Sequence, residues 1–161
     1  MRAWVFGDDV DTDVLAPGRY MKLSIEELAR HCLEAVDPAF AATVRPGDVV
    51  VGGRNFGTGS SREQAPQALK HLGVTALLAV SFAGLFYRNS LNLGLPALVC
   101  PDARNIRNGD RLQLDFYNAE VVNLDTAERL GFELIPEHLM EMVRDGGLLP
   151  HLEKRRWRTT S

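Results

Sequence analysis

The densest run of groups able to do chemistry is Gly52-Gly53-Arg54-Asn55-Phe56-Gly57-Thr58-Gly59-Ser60-Ser61-Arg62-Glu63. Four of its first eight residues are glycine, which frees the backbone for positive φ and for close approach of a ligand. A valine-rich strand precedes the run, and helical spacing is expected over Ser60–Leu72. A helix begun there would aim unpaired backbone N–H groups and a partial positive charge at an anion. Arg62 falls in the expected first turn, where a cation opposes the helix dipole unless an anion is present. Local rule-breaking of that kind is a mark of functional positions. An arginine can also grip a carboxylate with two parallel hydrogen bonds. Ser60-Ser61-Arg62-Glu63 equally satisfies a capping box, which accounts for Ser60 and Glu63 but for neither Arg62 nor the glycines. The run has neither the lysine of a P-loop nor the spacing of a dinucleotide-binding turn.

A second candidate is Gly7-Asp8-Asp9-Val10-Asp11-Thr12-Asp13. Its carboxylate density suggests Ca²⁺, but the remaining EF-hand pattern and its distal glutamate are missing. Side-chain capping of turns explains the same residues. Arg54, Arg88 and Arg104 carry no pattern of their own. Cys32 and Cys100 are too few to hold an iron–sulfur cluster, which usually takes about four thiolates. His31, His71, His138 and His151 show no metal-ligand spacing, so no metal or cofactor is assigned to this chain.

The elements that must position these groups alternate. Strands are expected at Arg2–Phe6, Asp48–Gly52, Val74–Val80 and Leu95–Val99, with helices at Ser60–Leu72 and Phe82–Leu93. This βαβαβ core predicts parallel strands joined by right-handed crossovers, buried on both faces where the apolar run is continuous. Ser24 and Glu27 open a further helix with capping-box spacing, carrying Leu28, Cys32 and Val36 and ending near Pro38. Beyond Pro101 the pattern alternates: Arg111–Phe116 and Glu120–Leu124 read as a half-buried hairpin turned at Asn118-Ala119. Glu137–Asp145 reads as a helix stopped by Gly146-Gly147.

The 161 residues, 45% apolar, suit one domain spanning 1–161. Residues 153–161, rich in Lys and Arg, are expected to form a flexible basic tail. A net charge of −3 gives no signature of nucleic-acid binding. No apolar run reaches the length of a membrane span, and the N-terminus lacks the pattern of a signal peptide, so the expected location is the cytoplasm.

Three segments together resemble a known family. Gly53-Arg54-Asn55-Phe56-Gly57-Thr58-Gly59-Ser60-Ser61-Arg62-Glu63-Gln64-Ala65 is similar to the signature of the aconitase swivelling domain. Asp11-Thr12-Asp13-Val14-Leu15-Ala16-Pro17 resembles that domain's D-T-D loop. Ser81-Phe82-Ala83-Gly84-Leu85-Phe86-Tyr87-Arg88-Asn89 resembles its S-F-A helix. The segments come in the family's order, and the likeness covers essentially the whole chain. Size and order resemble the separate small subunits of 3-isopropylmalate dehydratase and homoaconitase.

That resemblance implies an α/β fold, a three-layer β/β/α swivelling domain with a partly parallel sheet. It implies a hydro-lyase, inactive alone, whose large subunit carries a [4Fe–4S] cluster. The reaction implied is dehydration of a small 2-hydroxy dicarboxylate and rehydration at the neighbouring carbon. With 3-isopropylmalate as substrate, this is a step of leucine biosynthesis. Ser60 would be the base, and Ser61 and Arg62 would bind the substrate carboxylate. Asp13 would orient the site, with Thr12 secondary. Tyr20-Met21-Lys22-Leu23 occupies the family's specificity loop. Lys22 stands where an arginine would grip an extra carboxylate, whereas Leu23 suits an apolar isopropyl group. Lysine does not reproduce arginine's fork, and Ala16 replaces the usual isoleucine. Alternatives are a homoaconitase or methyl- or dimethyl-malate hydro-lyase subunit, a non-catalytic anion-binding module, and a structural domain whose motif only caps a helix.

Overall fold

A computed structural model describes residues 1–160. Four short strands, β1 (Ala3–Val5), β2 (Val49–Gly52), β3 (Ala76–Ala79) and β4 (Ala97–Val99), pair in parallel in the order β1-β2-β3-β4. The register runs Ala3↔Val49, Gly52↔Ala79 and Ala79↔Val99. Because each strand is added on the same side of the last, right-handed crossovers place every connecting helix on one face. Those helices are α1 (Thr12–Leu15), α2 (Ile25–Ala29), α3 (Phe40–Thr43), α4 (Gln64–His71) and α5 (Gly84–Asn92). Leu15, Leu28, Phe40, Ala68, Leu69 and Phe86 from that layer pack on Trp4, Val50 and Leu77 of the sheet.

The winding leaves the opposite face bare, and an antiparallel sheet covers it. Strands β5 (Leu112–Asp115), β6 (Glu120–Asn123) and β7 (Arg129–Gly131) pair in sequence. Their Leu112, Val121 and Leu130 meet Ala3, Val49, Val51, Leu78 and Leu98. Helix α6 (Glu137–Arg144) adds Met142 and Val143 to this side, and α7 (Leu148–Thr160) packs against α5 and α6. The result is the three-layer β/β/α domain expected. Both faces of the parallel strands are buried, as their unbroken apolar runs require. Each Leu or Val so covered contributes about 1.5–3 kcal/mol.

The structure departs from the sequence reading in four places. The helix expected from Ser60 starts at Gln64, with Glu63 as an N-cap that makes no side-chain bond. The helix begun at Ser24, whose hydroxyl does accept from the Glu27 N–H, stops at Ala29. There the chain breaks into turns, and Leu33, at φ 61°, turns back to donate its N–H to the Val14 carbonyl. Val36 is consequently exposed rather than part of the core. Strand β7 was not expected, since only Leu130 and Phe132 alternate inward there. Residues Glu153–Thr160, expected as a flexible tail, continue α7, and Ser161 lies outside the described residues.

Candidate active site

All four parallel strands point their carboxyl ends at one edge of the domain, and the loops leaving them gather there, the usual place for a site in an open α/β sheet. The loop after β1 carries Asp8–Asp13, the loop after β2 carries Gly53–Glu63, and Arg104 follows β4. The first two loops are laced together. Gly53 N–H donates to the Gly7 carbonyl at 3.1 Å, Asp9 N–H to that of Arg54 at 2.8 Å, Gly57 N–H to that of Val10 at 2.7 Å and Thr12 N–H to that of Thr58 at 2.8 Å.

Two glycines are required by this lacing. At Gly53 a Cβ would lie 2.0 Å from Asp8 Oδ1. At Gly57, with φ +83°, it would lie 2.0 Å from Phe86 Cγ, whose ring packs 5.4 Å from that of Phe56.

Every aspartate of the first loop is committed to N–H donors. Asp11 caps α1 by accepting from Val14 N–H at 2.8 Å. Asp8 Oδ1 accepts from Arg54 N–H at 2.8 Å and from Arg104 Nη2 at 2.9 Å. Asp9 Oδ1 accepts from Asn55 Nδ2 at 3.2 Å. Asp13 Oδ1 accepts from Arg62 Nη1 at 2.7 Å and Gly18 N–H at 2.9 Å, and these bonds hold its carboxyl below the usual carboxylate range. The Ca²⁺ reading finds no support in this arrangement. Among the described residues no group of three or more His, Cys, Asp and Glu is placed to hold a metal.

The expected tension between Arg62 and a helix dipole is corrected by the geometry. Arg62 lies before α4, and its half-buried guanidinium crosses to the D-T-D loop, where Nη1 also donates to the Ala16 carbonyl at 2.9 Å. The capping-box account of Ser60 fails for the same reason: the helix begins four residues later, and no side chain caps it. Ser60 Oγ instead lies 3.5 Å from Thr12 Oγ1, and Ser60 and Ser61 are both exposed. Thus Ser60, Ser61, Arg62, Thr12 and Asp13 meet at one place.

The Tyr20–Leu23 stretch sits to one side of it. The Tyr20 ring stacks on His31 at 3.6 Å, His31 Nδ1 lies 2.8 Å from Glu34 Oε2, and Glu34 pairs with Arg19 at 3.6 Å. Asp13, Val14, Gly18, Arg19, Tyr20 and Glu34 line an open cleft of about 790 Å³. Lys22 and Leu23 are exposed and do not line it. Asp8 and Asn55 lie inside the two candidate runs without a role of their own there, Arg104 and His31 carry no sequence pattern, and Glu34 is not singled out by the sequence, yet all five make contacts around these loops. The one signal was that Asp8 and Gly53 each fall just beyond a strand's carboxyl end. Arg88 is exposed on α5.

The two cysteines do not fit an iron–sulfur cluster. Both are buried on opposite faces of the parallel sheet, Cys32 in the helical layer and Cys100 against the antiparallel sheet. Burial pushes the Cys32 thiol far up and that of Cys100 up to about 11, away from the thiolate a cluster needs.

Comparison with known proteins shows the family to which this fold belongs. Residues 18–103 match the model of the aconitase C-terminal domain. The chain is 48% identical over 149 residues to the 3-isopropylmalate dehydratase small subunit of Nautilia profundicola, covering 92% of this chain and 90% of that protein. It is 46% identical over 155 residues to the methanogen homoaconitase small subunit of Methanothermobacter thermautotrophicus, covering 95% and 89%. The crystal structure of 3-isopropylmalate dehydratase (leuD) from Methanocaldococcus jannaschii superposes with a TM-score of 0.95 at 41% identity, covering 99% of this chain and 95% of that one. A serine–arginine loop laced to a D-T-D loop at the carboxyl edge of a β/β/α domain, with these relatives, makes the chain a member of the aconitase C-terminal domain family, of the kind that forms the separate small subunits of its hydro-lyases.

Proposed function

We propose that this chain is the small subunit of a cytoplasmic 3-isopropylmalate dehydratase, which interconverts 2- and 3-isopropylmalate with a large subunit bearing the [4Fe–4S] cluster. The observation that carries the reading is the placement of Ser60 and Arg62. Nη1 of Arg62 is rooted on Asp13 and Ala16. That fixes the guanidinium and leaves its other donors for a substrate carboxylate, the bidentate grip arginine favours.

This chain's part is proton and carboxylate chemistry. Ser60 Oγ takes the proton from the carbon alpha to the carboxylate, the hydroxyl leaves from the neighbouring carbon, and water then adds with the two positions exchanged. A serine is a weak base until positive charge and fixed donors stabilise its deprotonated form. Arg62 and the Ser61 hydroxyl supply these, and Asp13 keeps Arg62 aimed. Thr12 backs Ser60. Tyr20, Lys22 and Leu23 meet the substituent that distinguishes one acid from another.

The test is turnover of the chain co-expressed with a large subunit, under anaerobic conditions, on 3-isopropylmalate, homocitrate, citrate, citramalate and 2,3-dimethylmalate. Activity on isopropylmalate that vanishes when either subunit is omitted supports the reading. Activity confined to homocitrate favours the homoaconitase alternative, for which exposed Lys22 and the 46% identical relative speak. Silence on all five with an intact cluster overturns the assignment in favour of an anion-binding module or another acid.

A further inference from the structure

Asp8 is placed in no catalytic role above, yet it sits where three segments meet. A single carboxylate oxygen, Oδ1, takes the Arg54 backbone N–H at 2.8 Å and Arg104 Nη2 at 2.9 Å. The same oxygen packs on Gly53, where a Cβ would stand 2.0 Å away. Those partners belong to the loops leaving β2 and β4, while Asp8 itself begins the loop leaving β1. Beside it, Asp9 and Asn55 both adopt left-handed backbone, at φ 55° and 56°, and bond through Asn55 Nδ2. Two non-glycine residues in that conformation persist only where their surroundings hold them.

Register set at this corner passes along both loops. From Asp8 and Arg54 the rungs run through Val10 with Gly57 and Thr12 with Thr58 to the Thr12–Ser60 contact and the Asp13–Arg62 pair. The corner is exposed, with 41% of the Asp8 side chain and 55% of the Arg104 side chain open to solvent, so it adds little to the core. Its effect falls on the relative position of the two loops.

We propose that Asp8, supported by Arg104, is a positioning residue that sets the distance between Ser60 on one loop and Thr12 and Asp13 on the other. It acts through Arg54 and Gly53 and touches no substrate. This deepens the dehydratase reading and rests on it for its catalytic consequence.

The test compares Asp8→Ala, Asp8→Asn and Arg104→Ala in the assembled two-subunit enzyme with wild type. Misplacement by about 1 Å can cost on the order of 100-fold in rate. Asp8→Ala should lower kcat by about 10- to 100-fold with KM changed less than about threefold. Asp8→Asn keeps an acceptor oxygen toward Arg54 N–H and should recover kcat to within about threefold of wild type; Arg104→Ala should fall between. Amide hydrogen exchange on the same samples reads the position without the reaction. The Gly57 and Thr12 N–H groups, which bridge the loops, should exchange faster in Asp8→Ala and recover in Asp8→Asn.

Unchanged kcat in Asp8→Ala, or unchanged exchange at Gly57 and Thr12, overturns the proposal. So does a lower melting temperature with kcat intact, since that is a merely structural role. If wild type turns over none of the acids, the dehydratase reading fails separately, and hydrogen exchange alone decides the positioning claim.

Discussion

Gly57→Ala puts the packing of the candidate site to a quantitative test. The new Cβ would sit 2.0 Å from Phe86 Cγ, 2.4 Å from its Cβ and 2.5 Å from its Cδ1. Carbon atoms rest about 3.5–4.0 Å apart, so about 1.5 Å of movement is demanded. Phe86 is 2% exposed and packed among Phe56 and Phe82, so it has nowhere to go. Overpacking of this kind costs about 1–3 kcal/mol. The φ of +83° adds about 1–2 kcal/mol for an L side chain. The sum is about 2–5 kcal/mol, a fall of roughly 4–20 °C in Tm for a domain of this size. Urea and thermal unfolding of the free chain measure it, with buried Trp4 as a fluorescent reporter of the core.

Two controls divide that sum. Gly59 has φ +98° but its nearest neighbour would be Thr12 Oγ1 at 3.3 Å, so Gly59→Ala should cost only the backbone part, about 1–2 kcal/mol. Gly84 opens α5 with ordinary backbone and nothing within 4 Å, so Gly84→Ala should be neutral or stabilising by up to about 1 kcal/mol. If Gly57→Ala costs no more than Gly59→Ala, the close seating of this loop on Phe86 is wrong.

Ser60→Ala in the two-subunit enzyme should reduce turnover by about 10²–10⁴-fold, the usual worth of a positioned base, with circular dichroism and co-purification unchanged. Near-normal turnover would remove Ser60 from the chemistry. Arg62→Lys leaves one nitrogen to serve Asp13 and Ala16 but loses the fork held out to a substrate carboxylate, and kcat/KM should fall about 10- to 100-fold, the worth of one charge-assisted hydrogen bond. An unchanged kcat/KM would refute the carboxylate role. Asp145 is held below the usual carboxylate range by its hydrogen bonds from His151 and then Lys154, which tie α7 to the end of α6. Because its folded pKa is depressed, its contribution is complete above the unfolded value of about 4 and is lost as pH falls through the folded value. Urea titrations from pH 6 downward should therefore show Asp145→Asn less stable than wild type at pH 6, with the gap narrowing as pH falls below about 4. A gap that does not narrow would mean the substitution acts through packing.

Strands and layers were legible where the sequence carries a period. Val49-Val50-Val51 and Ala76-Leu77-Leu78-Ala79 are continuous apolar runs, and both lie buried on two faces. The Leu112–Asp115 and Glu120–Asn123 hairpin followed from alternation and the turn between them. The start of α4 was not legible. Ser60-Ser61-Arg62-Glu63 has every local sign of a helix start, but Arg62 is drawn to Asp13, 49 positions away, and the chain stays open until Gln64. A contact at that distance overrides local preference and leaves no trace in a window of ten residues. Asp8 falls within a candidate run, but its bridging role was not legible for the same reason, since its three partners come from the β2 and β4 loops. Lys22 could be numbered but not oriented, because a single exposed side chain beyond a short loop carries no periodic signal.

The one-directional winding of the parallel sheet has a consequence for how chemistry is shared in the proposed enzyme. With all crossover helices on one face and the antiparallel sheet on the other, both faces are closed. The carboxyl edge, where the loops after β1 and β2 leave, stays open and gathers Asp8, Asp13, Ser60, Ser61 and Arg62. There the loops are rigid, joined by four backbone hydrogen bonds and an Arg62–Asp13 pair, yet Ser60 and Ser61 remain exposed. Rigidity without shelter is what a half-site needs. A hydroxyl open to water is a poor base, because water competes for every donor that would favour its deprotonated form. On this reading the missing shelter comes from the large subunit. Its docking would dry Ser60 and strengthen Arg62 in the same event that brings substrate and cluster together. Neither subunit alone would then carry a reactive serine, and assembly itself would switch on the base.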